Sequence, residues 1–578
     1  MSSENEQKGL SRRAFLKKSG AGIAAAAGTA GVLGACSPQV AATPAPTPEP
    51  AATTPDVMNA ELASKKWSFE IPPDPIPDSD IAETVETEIV IVGAGVSGLV
   101  AANAAAENGA KVVLIAASSA PVFRGGSFHA PHSRYMEENG VEPYDVTTFF
   151  RRELASASFN VDQDKWYKFY NHSEEAINWL IDKMEAAGYQ TVLEHGNADP
   201  NFGPMHTPTG SHSWISEAMQ MAGLSAEFVV TTLAENAQAA GVEIRYKTIA
   251  KQLVREDNNT GRVTAVIAQG EDGAYTKYVG SKGIILATGD FSTNKEMMTK
   301  FCPWAMPLLT DAGDRGYDNT FKFGGLFNGD GHRMGLWVGA AWQRTFPNAP
   351  MIQGKWLCSN QPYGSHRGLT VNKDGYRYGN EDVNGPFGGV IQLRQPDMRS
   401  FSIWGTNYAE GGAPWYGFGM VEGADPIPPA SILAQWEAAV EAGTMVKGDT
   451  VEEVIEKLGL PAETKATVDR YNELCEAGVD ADYHKRAELL VPIAEAPFYG
   501  GEAGLPDFLT VTGGLRTDLN MRVCDADNKP IPGLYNIGIM VGDYYANIYN
   551  FLIAGNNLGA CCLTFGYMTG RGIADGTV

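Results

Sequence analysis

The sequence predicts an α/β fold from two observations: apolar strand-length runs alternate with helical patterns, and a glycine triplet stands at the first strand-to-helix junction. Ile89-Val90-Ile91-Val92 has the length and β-branched content of a buried strand. Gly93-Ala94-Gly95-Val96-Ser97-Gly98 follows at once, then a small-residue helical run through Ala101, Ala102, Ala104, Ala105 and Ala106, then a second apolar strand, Val112–Ile115. In such a unit the first glycine permits the tight turn. The second lets a pyrophosphate approach the backbone, and the third lets helix pack closely on strand. Amide groups at the helix start would meet the anion. The unit therefore predicts a Rossmann-like dinucleotide site. An acidic residue is expected about 20 residues further on for the ribose hydroxyls. Ala116, Ala117, Ser118 and Ser119 stand there instead, so Ala116 holds the position and serine hydroxyls would have to substitute.

At 578 residues the chain is too long for one hydrophobic core, so more than one domain is expected. A net charge of −24 disfavours nucleic acid and anionic membrane surfaces, both of which need a positive field. The seven cysteines show neither zinc nor haem nor iron–sulfur spacing, and no metal site is expected. Ser11-Arg12-Arg13-Ala14-Phe15-Leu16-Lys17 has the form of a twin-arginine export signal. Behind it, Leu33-Gly34-Ala35-Cys36 resembles a lipoprotein cleavage site that would leave Cys36 lipid-anchored, with cleavage and release as the alternative. Residues 1–36 are thus read as leader, and the Pro/Ala/Thr-rich stretch opening 37–83 as a tether and lead-in. The expected destination is extracytoplasmic: the periplasm or cell envelope.

A helical pattern runs from Thr147 to Gly188, with Trp166, Phe169, Tyr170, Ile177, Trp179 and Leu180 as core positions. Glu217 to Ala240 reads as another helix. An antiparallel piece follows through Lys251–Glu256 and Arg262–Gln269, and Lys282 to Asp290 reads as a strand entering a glycine turn.

Four blocks then carry a resemblance. They are Ile91 to Gly98; Leu286-Ala287-Thr288-Gly289-Asp290-Phe291 through Met297; Gly329-Asp330-Gly331 with Gly339-Ala340; and Gly513-Gly514 through Gly533-Leu534-Tyr535 to Gly555-Asn556-Asn557. The chain resembles the flavoprotein subunits of fumarate reductase and succinate dehydrogenase, a family that includes ketosteroid 1-dehydrogenases. That resemblance implies a glutathione-reductase-like FAD-binding domain, formed from residues 84–345 and 501–578, with an α+β capping domain inserted over 346–500. Within the cap, Gly368 to Glu381 resembles the family's cap motif, and the acidic run Pro429 to Gly478 would form its outer helices. FAD contacts are expected from Gly93, Ala94, Gly95, Val96, Ser97, Gly98, Ala116, Gly125, Gly126, Ser127, Ala287, Thr288, Gly289, Asp290, Gly555, Asn556, Asn557 and Leu558. Asp543 is expected to take over a ribityl contact.

The resemblance implies hydride transfer between flavin and a carbon–carbon bond polarised by a neighbouring oxygen. The family's cationic clamp for a dicarboxylate is nevertheless missing. Asp382-Val383-Asn384-Gly385 replaces the motif of the acid arginine, Thr510 stands in the histidine's place, and Phe551 to Asn556 lacks the C-terminal arginine. Each lost charge-assisted bond would be worth about 1.5–3 kcal/mol. The expected activity is reduction of an activated C=C, enoate or enone, in a small acceptor other than fumarate. Electrons would come from a separate donor protein, cytochrome- or quinol-linked. Tyr549, near where ketosteroid dehydrogenases carry a tyrosine, and Tyr545 are the candidate phenols, and His366 and Arg367 the candidate cations. Arg124, His129 and His132 around the Gly125-Gly126 loop could also line the site. Two alternatives are an FAD-dependent dehydrogenase or oxidase, and a lipid-anchored flavin- or ligand-binding protein without catalysis.

Overall fold

The computed structural model describes residues 66–142, 145–194, 209–217, 225–309, 316–318, 324–354, 368–383, 385–410 and 428–578. The leader and tether, including Cys36, lie outside them, as do His366 and Arg367. Strand Ile81–Val92 lies at the centre of an eight-stranded sheet, parallel to Val112–Ile115 on one side and to Tyr275–Leu286 on the other. Pro530–Asn536 extends the sheet beyond Tyr275–Leu286, and Glu243–Arg245 extends it beyond Val112–Ile115. The antiparallel pair Ile249–Arg255 and Val263–Gln269 joins along Tyr275–Leu286. Residues 89–92, 112–115 and 284–286 are buried, as an uninterrupted apolar run in a covered parallel sheet requires.

Helix Val96–Glu107 is apolar nearly all round, and its residues from Val96 to Ala105 are buried. A helix of that kind needs cover on several sides. Here helices Ala226–Ala239 and Phe565–Asp575 supply it. The small side chains let the neighbours come close: a Cβ on Gly570 would stand 2.3 Å from the Ala101 carbonyl oxygen. Asn103, the polar residue in this face, donates to the carbonyls of Leu99 and Leu233, each at 2.8 Å.

The pattern expected as one helical stretch from Thr147 is two helices, Val146–Ser156 and Gln163–Ala186, separated where Ser158 and Phe159 take positive φ. Both helices hold the C-terminal segment in place. Lys165 Nζ donates to the Gly542 carbonyl at 2.8 Å, and Trp166 Nε1 to that of Tyr544 at 2.9 Å. The Trp166 and Tyr544 rings stack at 4.6 Å.

A second, antiparallel sheet runs in the order Leu369–Asn372, Ser400–Gly405, Phe498–Glu502, Val446–Gly448. Trp404, Trp436, Tyr471 and Tyr499 form its core together with helices Pro429–Glu441, Val451–Leu458 and Thr464–Ala477. The run expected to be helical throughout is thus interrupted by a strand at Val446–Gly448. Inside this region Arg377 reaches both Glu381 and Asp480, and Lys485 lies 3.5 Å from Glu381. These four groups are almost fully buried, and mutual pairing offsets the cost of taking them out of water. A separate two-stranded ribbon, Pro350–Gln353 with Asp507–Val511, brings Leu509 and Thr510 back towards the glycine turn.

Candidate active site

One long pocket runs along the C-terminal ends of the central parallel strands, where the ligands of open α/β sheets lie. Gly93 to Ser97, Ala116, Gly125 to Ser127, Ala287 to Asp290, Gly555, Asn557 and Leu558 all line it. Most of the expected cofactor residues, drawn from stretches between residues 93 and 558, are thereby brought together. Gly93 has φ +120°, and a Cβ there would stand 2.2 Å from the Ala287 carbonyl oxygen, so the turn admits glycine alone. Gly98 does not line the pocket. Its Cβ position lies 2.0 Å from the Gly93 carbonyl oxygen, which is the helix-packing role of a third glycine.

Two features fit a dinucleotide. Helix Val96–Glu107 begins behind Gly95 with no side-chain cap, leaving first-turn amides available to an anion. Asn557 Oδ1 is buried without a protein partner, an acceptor that a bound ligand could satisfy. At the ribose position Ala116 is committed to backbone pairing: its amide donates to the Arg245 carbonyl, and its carbonyl accepts from Thr248. Ser118 lines the pocket, but its hydroxyl donates to Ala120 O at 2.7 Å, and Ser119 donates to Asp318. Neither serine presents a free proton to a ribose in this arrangement.

Five further residues expected at the site lie outside the lining of this pocket. Asp543 lies outside the pocket. Its carboxylate accepts from the amides of Arg344 and Thr345, each at 2.8 Å, and from the Thr345 hydroxyl at 2.9 Å, so it ties the loop to residues 344–345. Asn556 is also outside: its amide donates to the Tyr545 hydroxyl at 2.9 Å. Tyr545 does not reach the pocket, and complete burial, beside Tyr549 and Tyr544, pushes its phenol well above its ordinary pKa. His129 and His132 are likewise absent from the lining; they pair with Ser211 and Tyr170.

Tyr549 does line the pocket. Its ring stacks on Phe551 at 4.8 Å and tilts against Tyr545 at 4.6 Å. The segment carrying it contains three non-glycine residues at positive φ, Asp543, Asn547 and Phe551. Such strain persists where surrounding contacts over-determine it. The contacts are visible: Asn547 and Asn550 donate to the Ser156 carbonyl and hydroxyl, and Glu153 accepts from the Ile553 amide at 3.0 Å. Glu153 is buried, and loss of solvent pushes its pKa up to about 7, against the opposing pull of Asn550, Arg152 and the Ile553 amide.

The lining also includes Arg124, Asp290 and Thr510. Arg124 Nη1 donates to the Leu509 carbonyl at 2.6 Å and lies 3.6 Å from Asp290. The Thr510 hydroxyl donates to the same Asp290 carboxylate. Phe551 also lines the pocket, as do Tyr317, Phe327 and Asp330, which were not foreseen, although Gly329-Asp330-Gly331 was visible as a block.

Comparison with known proteins accords with this geometry. The profile of the FAD binding domain family matches residues 88–550. A vinyl phenol reductase of Lactiplantibacillus plantarum is 26% identical over 84% of this chain and 94% of its own. A urocanate reductase of Eggerthella lenta is 26% identical over 86% of this chain and 75% of its own. Among solved structures, a 3-ketosteroid-Δ4-(5α)-dehydrogenase of Rhodococcus jostii superposes with a TM-score of 0.65 at 24% identity, covering 86% of this chain and 99% of that one. The FAD-binding α/β fold with a cap follows from these likenesses, as do an oxidoreductase activity and FAD as its cofactor. The chain belongs to the FAD binding domain family.

Proposed function

We propose that the chain is an FAD-dependent reductase of an activated C=C bond in a small organic acceptor, fed by a separate electron-donor protein. The observation that carries this reading is the placement of Tyr549 in the lining of the cofactor pocket, flanked by Phe551, in a chain whose sequence lacks the family's carboxylate-clamp motifs. FAD held along residues 93–97 and 287–290, once reduced by the donor protein, would supply a hydride to one carbon of the double bond. The chain's own residues must then place the acceptor, exclude water and deliver one proton to the other carbon. Tyr549 is the candidate proton donor, because a phenol can both hydrogen-bond an acceptor oxygen and give up a proton. Phe551 and Tyr549 supply an apolar wall suited to a flat molecule. The relatives from Lactiplantibacillus plantarum and Eggerthella lenta are reductases, which favours reduction over dehydrogenation. The twin-arginine pattern supports export of the folded, FAD-loaded protein.

Anaerobic mixing tests the direction. Dithionite-reduced enzyme should be reoxidised by an enone or a vinyl arene. If no unsaturated acceptor reoxidises it, while saturated ketones bleach the oxidised flavin, the chain is a dehydrogenase.

A further inference from the structure

We infer that Asp290 is a charge-selecting residue that restricts the acceptor to uncharged molecules, an enone or vinyl arene rather than an enoate. The inference rests on the C=C reductase reading above and narrows its substrate class. Asp290 is 1% exposed and lines the pocket. One carboxylate oxygen accepts from the Ser292 amide at 3.1 Å, the Ser292 hydroxyl at 2.7 Å and the Phe327 amide at 3.2 Å. These bonds fix its orientation. The other oxygen meets the Thr510 hydroxyl and, at 3.6 Å, Arg124.

Three consequences follow for an incoming anion. First, Arg124 is already opposed by Asp290 and donates to the Leu509 carbonyl, so its attraction for a ligand carboxylate is largely cancelled. Second, the Thr510 proton is directed at Asp290, because a carboxylate can only accept; the hydroxyl oxygen then offers lone pairs, not a proton, to any other group. Third, the formally charged residues in the described lining are Arg124, Asp290 and Asp330, so beyond the Arg124–Asp290 pair it offers an anion no further cation. Asp330 is itself paired with Arg333 and accepts from the Tyr317 hydroxyl at 2.9 Å. Desolvating a carboxylate in such a lining is costly without a compensating cation. A neutral carbonyl or vinyl group escapes that cost, and a carbonyl still finds the Tyr549 phenol.

The test is binding to the oxidised holoenzyme, read from the flavin absorbance, with cinnamamide and cinnamate as a matched neutral and anionic pair. Wild-type enzyme should bind cinnamamide at least about tenfold more tightly, equivalent to about 1.4 kcal/mol. Asp290→Asn, which keeps shape and removes the charge, should bring the ratio close to one. Thr510→Val, which leaves the charge in place, should not. Equal or preferential binding of cinnamate by the wild type overturns the inference, even if Asp290→Asn loses FAD or fails to fold. So does an unchanged ratio in a flavin-loaded Asp290→Asn, or the absence of any spectral response to both ligands. The reductase reading fails separately: binding that follows this pattern in an enzyme whose reduced form transfers hydride to no acceptor keeps Asp290 as a selector and removes the reductase.

Discussion

The two ends of the pocket are built in opposite ways. At the glycine turn, backbone geometry does the positioning. Gly93, Gly95 and the start of helix Val96–Glu107 form a cradle whose shape depends on missing side chains. At the Tyr549 end, side chains do it: a segment with Asp543, Asn547 and Phe551 at positive φ is held by Asn547, Asn550, Lys165, Trp166 and Glu153. A cradle made by absence tolerates almost no substitution. A clamp made of many hydrogen bonds can lose one and persist.

That contrast sets the size of the expected effects. Gly93→Ala should be the most damaging, because the new Cβ overlaps the Ala287 carbonyl and the residue sits at φ +120°. A loss above about 4 kcal/mol is expected, with protein recovered colourless; flavin absorbance after purification and thermal unfolding measure both. A flavin-loaded Gly93→Ala protein of normal stability would break the comparison at its firmest point.

At the other end, the buried carboxylate gives a pH-dependent effect. Glu153 titrates near 7 in the fold against 4.5 in its ordinary state. The folded chain therefore holds this proton more tightly. The group's contribution is fully present below about pH 4.5 and is lost as pH rises through 7. Glu153→Gln, which cannot ionise but still accepts from the Ile553 amide, should stabilise the protein by up to about 3 kcal/mol at pH 8 and by little at pH 4.5. Melting temperatures of both proteins across that range should converge on the acid side. A constant difference would show that Glu153 is not buried as a neutral acid.

The smallest effect belongs to Asp543→Asn. Asparagine tolerates the left-handed backbone at φ +63° and keeps an oxygen for the Arg344 and Thr345 amides. A cost within about 1 kcal/mol and unchanged FAD content are expected. A large loss of FAD would restore Asp543 to the cofactor contacts.

The same contrast explains what was legible in the sequence. A glycine has few reasons to recur at fixed spacing behind an apolar strand, so Gly93, Gly95 and Gly98 reveal turn, cofactor approach and packing in the bare chain. The β-branched runs place the central strands for the same reason, since a doubly covered parallel strand leaves an uninterrupted apolar signature. Roles at the Tyr549 end depend on three-dimensional pairing. Asp543, Tyr545 and Asn556 carry chemistry suited to a cofactor site, and only their actual partners reveal that each supports the segment from behind. Arg124 reads in sequence as a free cation; its opposition by Asp290, 166 positions away, is invisible there. The break at Ser158 and Phe159 was equally hidden, because neither is a residue that announces positive φ.

The central claim is that Tyr549 delivers a proton to a C=C bond reduced in this pocket. Its most direct measurement is single-turnover reoxidation of dithionite-reduced enzyme by benzylideneacetone, a neutral enone, followed anaerobically by flavin absorbance in wild type and Tyr549→Phe. The two proteins should carry equal FAD, and the variant should reoxidise about a hundredfold more slowly. Equal rates in the two proteins would contradict the assignment.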